Sequence, residues 1–344
     1  MAKHLSRERL LNVDLPTKVT FLRRPDSYPE HPSRVEVMES HMSWVFMLDE
    51  HVYKLKKPVH HSFVDFSTLE DRFYYCHESI RLNRRLAEDV YLGVVALTID
   101  GDGRLQLGGD GDPVEWLVRM RRLPGHLMLD SAIEKDRVSG QDVHRFAQRL
   151  AAFYRRAERV AMSSQQYRER LQRDIEANQQ ELADPDYKLP WAQLARLRAQ
   201  QLGLLEKQPP LFSARAEADR IIEAHGDLRP EHICLTSPPV VIDCLEFNRE
   251  FRILDPVHEL AYLALECEYA GAEFIGDIAF DTYRRETADD PSPQLIDFYK
   301  SYRAALRARL SIWHVKDHEA REHAKWISRT ERYLRLAEKY AARL

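Results

Sequence analysis

HGDLRPEHICLTSPPVVIDCLEF, residues 225–247, is the one β-like interruption in a long helical region of this sequence. Residues 233–235 and 240–242 are predicted to be short strands on either side of a Ser-Pro-Pro turn. A polar loop precedes the first strand, and an aspartate directly follows the second. The spacing therefore places two carboxylates, Asp227 and Asp243, at the ends of a small hairpin.

Strand patterns fill most of the first 120 residues of the chain. A helix interrupts them at residues 67–87, where Ser67 and Glu70 have the spacing of a capping box. A short helix and an irregular arm are predicted within residues 1–35. The predicted strands are residues 35–38, 43–48, 52–56, 93–99, 105–107 and 114–120.

Helical patterns dominate the rest of the chain. The predicted helices are residues 139–160, which follow a Ser cap, and residues 164–182, 191–207 and 297–312. A run of strands followed by a run of helices is typical of an α+β fold. We therefore expect two parts, a β-rich one over residues 1–120 and a mostly helical one over residues 121–344.

Composition and charge exclude several classes of protein. A chain of 344 residues that is 44% hydrophobic and 31% charged is long enough for two cores and is unlike disordered or fibrous proteins. A formal net charge of −4 does not indicate a nucleic-acid partner. We expect no membrane span, because no run of about 18 apolar residues occurs.

The N-terminus and the cysteines predict a cytoplasmic protein. The opening MAKHLSRERLLNVDLP lacks the apolar core of an export signal. The four cysteines have no C-x-x-C spacing, so free thiols are expected rather than a zinc site.

The hairpin offers the groups that phosphoryl transfer requires. That chemistry needs a carboxylate to orient the acceptor hydroxyl and take its proton, oxygen ligands for Mg²⁺, and a cation for the phosphates. Asp227 is the candidate base, and Asp243 and His232 are the candidate metal ligands. Glu246 is either a further acidic ligand or a cap of the following turn.

The segment HGDLRPEHICL followed by VVID resembles the catalytic loop and metal-binding strand of the aminoglycoside phosphotransferase family, which shares an H-x-D-x-x-x-x-N loop with protein kinases. The resemblance implies a protein-kinase-like, two-lobed fold in which Asp227 is the base and Arg229 neighbours the transferred phosphoryl group. Asp243 corresponds to the aspartate of the kinase D-F-G motif. The segment LDPVHELAYLALE resembles the family's D-P-x-x-D-L-A helix, which implies that Asp255 and Glu259 fix the catalytic loop.

The N-terminal segments agree with this resemblance. SHMSWVFMLDEHVYKLKKPV and DFSTLEDRFYYCHESIRLNRRLA resemble an uncharacterised bacterial branch of the same family. Some members of that branch carry a P-loop kinase domain at the C-terminus. This sequence shows no G-x-x-x-x-G-K-[ST] motif, so we expect no such domain here.

Several residues of the N-terminal lobe are candidates for contacting ATP. Lys54 follows Val52 in the V-x-K order of the kinase strand, so it is preferred for the phosphates over Lys56, which lies on the same strand face. Lys57 lies on the other face. Glu78 is either the ion-pair partner of Lys54 or an exposed helix carboxylate.

The phosphate-covering loop and the hinge are less typical of kinases. No glycine-rich loop joins the first two strands, so the hydroxyls of Ser40 and Ser43 and nearby backbone amides are expected to cover the phosphates. Met120 and Arg122 lie where a kinase hinge presents backbone groups to adenine.

His232 replaces the asparagine of the kinase loop. We expect ATP and Mg²⁺ as the cofactors. Because imidazole suits Mn²⁺ better than Mg²⁺, Mn²⁺ is kept as the alternative cation. The main hypothesis is a kinase of a small hydroxylated molecule. The alternatives are a nucleotide-binding pseudokinase with a regulatory role, a kinase that modifies proteins, and a nucleotidyl transferase on the same scaffold.

The acceptor is not determined by the sequence. Helices between residues 139 and 210 are expected to form its wall, but acidic residues over 164–210 are nearly balanced by Arg and Lys. Amino sugars, sugars and choline-like alcohols stay open. Arg303 and Arg307, one helical turn apart, either meet an anionic substrate or, more commonly, pair with acidic residues of neighbouring helices.

Overall fold

The computed structural model describes residues 13–61, 63–317 and 320–344, and these form two compact units. The first comprises the described residues up to Met128 together with Val240–Glu250, and the second comprises Leu129–Pro239 and Phe251–Leu344. Strands dominate the first unit and helices the second, which confirms the predicted α+β class. The lobe boundary at residue 120 stays a prediction. Residues 1–12, which belong to the segment predicted to lack an export signal, lie outside the described residues.

The first unit is built on an antiparallel sheet of six strands. They are β1 (Glu36–Glu39), β2 (Ser43–Met47), β3 (His51–Lys56), β6 (Tyr91–Ile99), β7 (Leu105–Leu107) and β8 (Asp112–Arg121). Their spatial order is β1-β2-β3-β8-β6-β7. The predicted strands are thus confirmed, with small differences at their ends. Two further short strands, β4 (His60–His61) and β5 (Val64–Asp65), form a separate antiparallel pair.

Side-chain alternation on β3 divides the first unit into an apolar and a charged face. Tyr53 and Leu55 are buried against helix α1 (Leu15–Leu22), whereas Lys54 and Lys56 point to the opposite face. The apolar core also contains Val19, Leu22, Phe46, Leu97 and Leu117. This arrangement leaves both lysines available to the segment that follows β11 (Val240–Val241).

Helix α2 (Leu69–Ala87) begins two residues later than predicted. Its N-cap is Thr68, whose hydroxyl accepts a hydrogen bond from the backbone of Asp71 at 3.0 Å. The predicted capping box of Ser67 and Glu70 is therefore wrong. Its physical reason is that Ser67 already donates to the carboxylate of Asp65, at 2.6 Å, in the preceding turn.

A buried ion triad joins α1, α2 and β8. Glu115 on β8 is 1% exposed and accepts hydrogen bonds from Lys18 at 2.9 Å and from Arg72 at 2.7 Å. Two cations therefore compensate one buried carboxylate, as burial of charge requires.

The second unit is mostly helical. Its helices are α3 (Leu129–Glu134), α4 (Gly140–Arg156), α5 (Ser164–Leu182), α6 (Trp191–Lys207), α7 (Pro209–Glu217), α8 (Pro256–Tyr269), α9 (Phe274–Thr287), α10 (Pro293–Asp317) and α11 (Ala320–Ala341). The four predicted helices are confirmed as α4, α5, α6 and α10, and the predicted Ser cap of α4 is Ser139, which forms a capping box with Asp142. Within the described residues, no helix is both long and apolar enough to cross a bilayer.

Helix α8 lies at the centre of the second unit, and Pro256 to Cys267 are all buried. Next to the N-terminus of α8, Arg215 of α7 donates to two carboxylates, those of Asp255 at 2.7 Å and Asp289 at 2.7 Å. Short strands β9 (Ile222–Glu223) and β12 (Ile253–Leu254) pair antiparallel beside it. Strand β10 (Ile233–Cys234) and β11 confirm the two short strands predicted around the Ser-Pro-Pro turn. All four cysteines are free and buried, as predicted.

Candidate active site

The loop that carries Asp227 is fixed to helix α8 through its backbone. Gly226 has a φ of 91°, which a residue with a side chain rarely adopts, so glycine is required between His225 and Asp227. The amides of His225 and Gly226 donate to the same carboxylate oxygen of Glu259, at 2.9 and 2.7 Å. The expectation that Glu259 fixes this loop is thus confirmed, whereas Asp255 binds Arg215 instead.

Both oxygens of the Asp227 carboxylate accept hydrogen bonds. Arg229 donates to Oδ2 at 2.9 Å, and the hydroxyl of Tyr262, on α8, donates to Oδ1 at 3.2 Å. Burial raises the pKa of Asp227, but the positive charge of Arg229, the largest opposing effect, helps to lower the pKa to about 2. The carboxylate is therefore ionised at neutral pH and can accept a hydrogen bond from an approaching hydroxyl.

His232 lies inside the loop and is bonded at both ring nitrogens. Its Nδ1 is 2.7 Å from the carbonyl oxygen of Asp227, which can only accept, so Nδ1 carries the hydrogen. Its Nε2 then has the lone pair and lies 3.4 Å from Nη2 of Arg229. This geometry favours a role in fixing the loop, and a role of His232 as a metal ligand stays a prediction.

Asp243 has a left-handed backbone that two distant side chains fix. Its φ is 60°, a conformation uncommon for residues other than glycine. Its amide donates to the hydroxyl of Tyr91 at 3.0 Å, and the next amide, that of Cys244, donates to Oδ1 of Asn83 at 2.8 Å. Strained backbone of this kind is concentrated at functional sites.

The two lysines of β3 bind the segment that begins with Asp243. Lys54 donates to Asp243 Oδ1 at 2.6 Å, and the buried Lys56 forms an ion pair with Glu246. Burial lowers the pKa of Lys54, but Asp243 and Glu246 outweigh it and raise the pKa above its ordinary value. Lys57 turns the other way, to Glu39, as the strand alternation predicted. The choice between Lys54 and Lys56 for the phosphates stays a prediction, and the greater exposure of Lys54 favours it.

Three other residues predicted to contact Lys54 or the phosphates, namely Glu78, Ser40 and Ser43, are hydrogen-bonded to other residues of the first unit. Glu78 accepts from Arg81 on the same helix at 2.8 Å, while Lys54 binds Asp243. The predicted Lys54–Glu78 pair thus differs from what the structure shows. The hydroxyls of Ser40 and Ser43 lie 3.0 Å apart, because Ser40 closes the turn between β1 and β2.

The predicted hinge residues lie at the end of a paired strand. Met120 belongs to β8, between β3 and β6. The amide of Arg122 donates to the carbonyl oxygen of Glu50 at 2.7 Å, and its side chain donates to that of Leu48 at 2.7 Å. The backbone donor of Arg122 is therefore used by the sheet, and contacts of Met120 and Arg122 with a nucleobase stay a prediction.

Three residues that contact the site were not predicted from the sequence, namely Tyr91, Asn83 and Tyr262. Asn83 shares the buried face of α2 with Cys76 and Ser79, so a buried amide on an otherwise small-residue face was the available indication. Tyr91 and Tyr262 carry no such local pattern, because their partners come from distant parts of the chain.

The side chains present fit a nucleotide with a divalent cation. Carboxylate oxygens are the ligands that Mg²⁺ prefers, and Asp243 exposes 41% of its side chain beside the cationic Lys54. Glu246 is buried against Lys56 and is less accessible. No group of three or more His, Cys, Asp or Glu side chains in the described part of the chain could enclose a metal ion by itself. A cation here would thus need ligands from the nucleotide or water, as is usual for Mg²⁺.

Comparison with known proteins assigns the family. The model of the phosphotransferase enzyme family, APH, matches residues 75–293, and the chain belongs to this family. Uncharacterized proteins of Mycobacterium bovis and Mycobacterium tuberculosis are each 31% identical over 286 residues, which cover 80% of this chain and 54% of theirs. The chain therefore spans about half the length of the curated relatives it matches.

Solved structures show the same protein-kinase-like fold at low identity. The GDP complex of aminoglycoside 2'-phosphotransferase-IIIa is 14% identical and covers 95% of this chain and 97% of its own, with a TM-score of 0.50. A choline/ethanolamine kinase family protein from Mesorhizobium loti is 14% identical in sequence, with a TM-score of 0.51. The match covers 94% of this chain and 99% of that protein's chain. An ethanolamine kinase of Plasmodium vivax is 8% identical in sequence, with a TM-score of 0.52. The match covers 90% of this chain and 84% of that kinase's chain. These confirm the predicted fold.

Proposed function

We propose that this chain transfers the γ-phosphoryl group of ATP to a hydroxyl group of a small molecule. The observation that carries the proposal is the ionised Asp227, presented by a loop that is fixed through Gly226 to buried Glu259. The acceptor hydroxyl gives its proton to Asp227 while its oxygen forms a bond to the γ-phosphorus. The bond between that phosphorus and the β-phosphate oxygen breaks, and ADP leaves.

The two units have different parts in this proposal. Lys54 neutralises the phosphates and Asp243 binds the divalent cation in the first unit, while Asp227 and Arg229 act on the acceptor and the transferred group in the second. Bound Mg²⁺ would neutralise the charge that develops on the phosphates. A solved relative in fold is described as a GDP complex, so GTP is a second donor to test. Four buried free thiols agree with the proposed cytoplasmic location.

A regulatory nucleotide-binding module is the second candidate. His232 in place of the kinase asparagine favours it, because both ring nitrogens are bonded within the loop. Such a module would bind ATP without turning it over.

The position of a radioactive label separates these functions. The purified chain is incubated with γ-labelled or α-labelled ATP, either Mg²⁺ or Mn²⁺, and a panel of sugars, amino sugars and choline. We expect label to reach an acceptor from the γ-position only. Transfer from the α-position would indicate a nucleotidyl transferase, and tight ATP binding without any turnover would indicate the regulatory module.

A further inference from the structure

The acidic side chains of the expected acceptor wall are mostly occupied by neighbouring side chains. A cationic acceptor such as an amino sugar would need several carboxylates gathered around it. Four of the seven acidic residues over 164–210 are instead bonded to nearby side chains. These pairs are Glu169 with Gln165 at 2.8 Å, Glu176 with Gln172 at 3.1 Å, Glu181 with Tyr187 at 3.2 Å, and Asp184 with Lys316 at 2.8 Å. Each of these acids thus lies in its own local pair, and among these four pairs only that of Asp184 includes a cation.

Asp174 differs because it is bonded to a residue of α10 and experiences the positive charge of three arginines. The hydroxyl of Tyr302 donates to its carboxylate at 3.1 Å. Burial raises the pKa of Asp174, and Arg170, Arg303 and Arg309 all act against this effect. We refer to these three residues as the arginine cluster. Three guanidinium groups thus act on one carboxylate.

Arg303 is buried with a neutral partner. It is 5% exposed, and its Nε donates to Nε2 of His258 at 2.8 Å, so that imidazole must be the acceptor. Burial, together with Arg303, lowers the pKa of His258 and keeps it uncharged. No carboxylate in residues 13–61, 63–317 and 320–344 forms an ion pair with Arg303, whereas Arg307, one turn later, pairs with Glu266 at 3.1 Å. The predicted pairing with acidic residues is thus confirmed for Arg307 only.

Arg309 is the second arginine that forms no close ion pair within the described residues, although the charge of Asp174 acts on it. Its Nε is buried with no hydrogen-bond partner within the described part of the chain. Its guanidinium lies 5.2 Å from the ring centre of Trp313, and burial lowers its pKa. Buried charge is costly unless it is paired, so a ligand that supplies negative charge would bind favourably here.

The arginine cluster is connected to the proposed base by a single side chain. The guanidinium of Arg303 lies 4.6 Å from the ring centre of Tyr262, and the hydroxyl of Tyr262 donates to Asp227 at 3.2 Å. An acceptor whose hydroxyl contacts Asp227 could therefore carry a second group toward the cluster. Guanidinium groups bind carboxylates and phosphates through paired hydrogen bonds.

We propose that the acceptor is a hydroxylated small molecule that carries an anionic group, a carboxylate or a phosphate, which binds at the arginine cluster. This inference rests on the proposed function and specifies its substrate class. The anionic group makes and breaks no bond. The acceptor hydroxyl still loses its proton to Asp227 and gains the γ-phosphoryl group of ATP.

Matched acceptors test the inference through the charge they carry. Glucose, glucosamine, gluconate and glucose 6-phosphate share a carbon skeleton but are neutral, cationic, and anionic through a carboxylate or a phosphate. We expect kcat/KM for at least one of the two anionic acceptors to exceed that of the neutral and cationic ones by about tenfold, the factor typical of one charge-assisted hydrogen bond. The better of the two anionic acceptors identifies the anion.

A binding measurement covers the case in which none of the four compounds is phosphorylated. With the nucleotide site saturated by a non-hydrolysable ATP analogue, binding of citrate and of inorganic phosphate is measured by calorimetry. Arg309→Gln, at a half-buried site, and Arg303→Gln should each weaken binding of an anion by about tenfold. Arg196→Gln is the matched control, because Arg196 is exposed and pairs with Glu338 at 2.7 Å. Its anion affinity should equal that of the wild type.

The outcomes distinguish this inference from the proposed function. Preference for glucosamine or glucose overturns the anionic acceptor but leaves a phosphotransferase. Absence of anion binding, or binding that neither cluster variant weakens, also overturns it. An effect of Arg309→Gln on KM for anionic acceptors, with KM for glucose and ATP unchanged, supports it, since a merely structural defect would affect all of them.

Discussion

Asp227 and Asp243 are both acidic residues of one short segment, yet the chain fixes them in opposite ways. The partners of Asp227 include Arg229 and His232, two and five residues away in the sequence. Asp243 is bonded to Lys54 and Tyr91, which are 189 and 152 residues away. The first carboxylate is thus arranged largely by its own loop, and the second by the sheet of the first unit.

The difference suggests that Asp227 serves the chemical step and Asp243 serves binding of the nucleotide and cation. Arg229 and Tyr262 occupy the Asp227 carboxylate and keep it ionised in one orientation. Asp243 instead exposes 41% of its side chain beside a lysine. An incoming phosphate and cation could replace this ion pair, because each would satisfy one of its members. Substitutions at the two aspartates should therefore affect different kinetic constants.

The largest effect is expected from Asp227→Asn. Loss of a general base lowers kcat by about 10² to 10⁴-fold, whereas nucleotide affinity should stay within about tenfold of the wild type. Phosphoryl transfer and calorimetric titration with ATP measure the two quantities. Asp290→Asn, at an exposed surface site, is the control. Undiminished kcat in Asp227→Asn would remove the base from the proposal.

Asp243→Ala should affect binding. We expect affinity for ATP in the presence of Mg²⁺ to fall by at least about tenfold, as for other residues that support a metal. Affinity for ATP without a divalent cation should not fall, because Lys54 loses a competing partner. Calorimetry with and without Mg²⁺ measures both, with the exposed Asp102→Ala as control. Equal loss under both conditions would contradict a role in binding the cation.

Low pH should destabilise the chain through Asp227. Its pKa of about 2 in the folded state lies below the ordinary 3.8, so its ionisation stabilises the fold above pH 3.8 and this contribution is lost as the pH falls toward 2. The difference in unfolding free energy between wild type and Asp227→Asn should be about 1 kcal/mol smaller at pH 3 than at pH 6. Urea titrations at both values measure it. A pH-independent difference would indicate an ordinary pKa.

Tyr262→Phe should have a moderate effect on chemistry. The variant removes one neutral donor from Asp227 while Arg229 stays, so kcat should fall roughly fivefold, the equivalent of about 1 kcal/mol. Tyr269→Phe on the same helix is the control, because Tyr269 stacks on Tyr333. Steady-state kinetics of both variants decide whether the hydroxyl matters, and identical values would show that it does not.

The smallest effect is expected from His232→Asn. Because Nδ1 of His232 binds the carbonyl oxygen of Asp227, and an asparagine amide can donate the same bond, the ratio of Mg²⁺ to Mn²⁺ activity should stay within about twofold. Assays with each cation measure this ratio. A clear shift toward Mg²⁺ in the variant would instead show that His232 is a metal ligand.

The loop of Asp227 was predictable because its determinants are local. Gly226 provides the left-handed backbone, and Arg229 and His232 follow within one short turn. The helix after Asp255 was expected from the resemblance of LDPVHELAYLALE to the family's helix, and a proline at its first position marks its start.

The surroundings of Asp243 were not predictable from local patterns. Glu78 was predicted from the sequence as a partner for Lys54, but its carboxylate binds Arg81 one turn away. The residues that do reach this segment, Asn83 and Tyr91, are brought there only when helix α2 and strand β6 pack together. Such contacts depend on tertiary packing, which overrides propensity and periodicity.

The double hydrogen bond to Glu259 has a consequence for the entropy of catalysis. Two consecutive amides of the Asp227 loop are bonded to a side chain that is fully buried in α8. The loop therefore loses its conformational freedom when the chain folds, so little further ordering is required when an acceptor binds. Its amide hydrogens should accordingly exchange with solvent as slowly as those of α8 itself, with or without ligand.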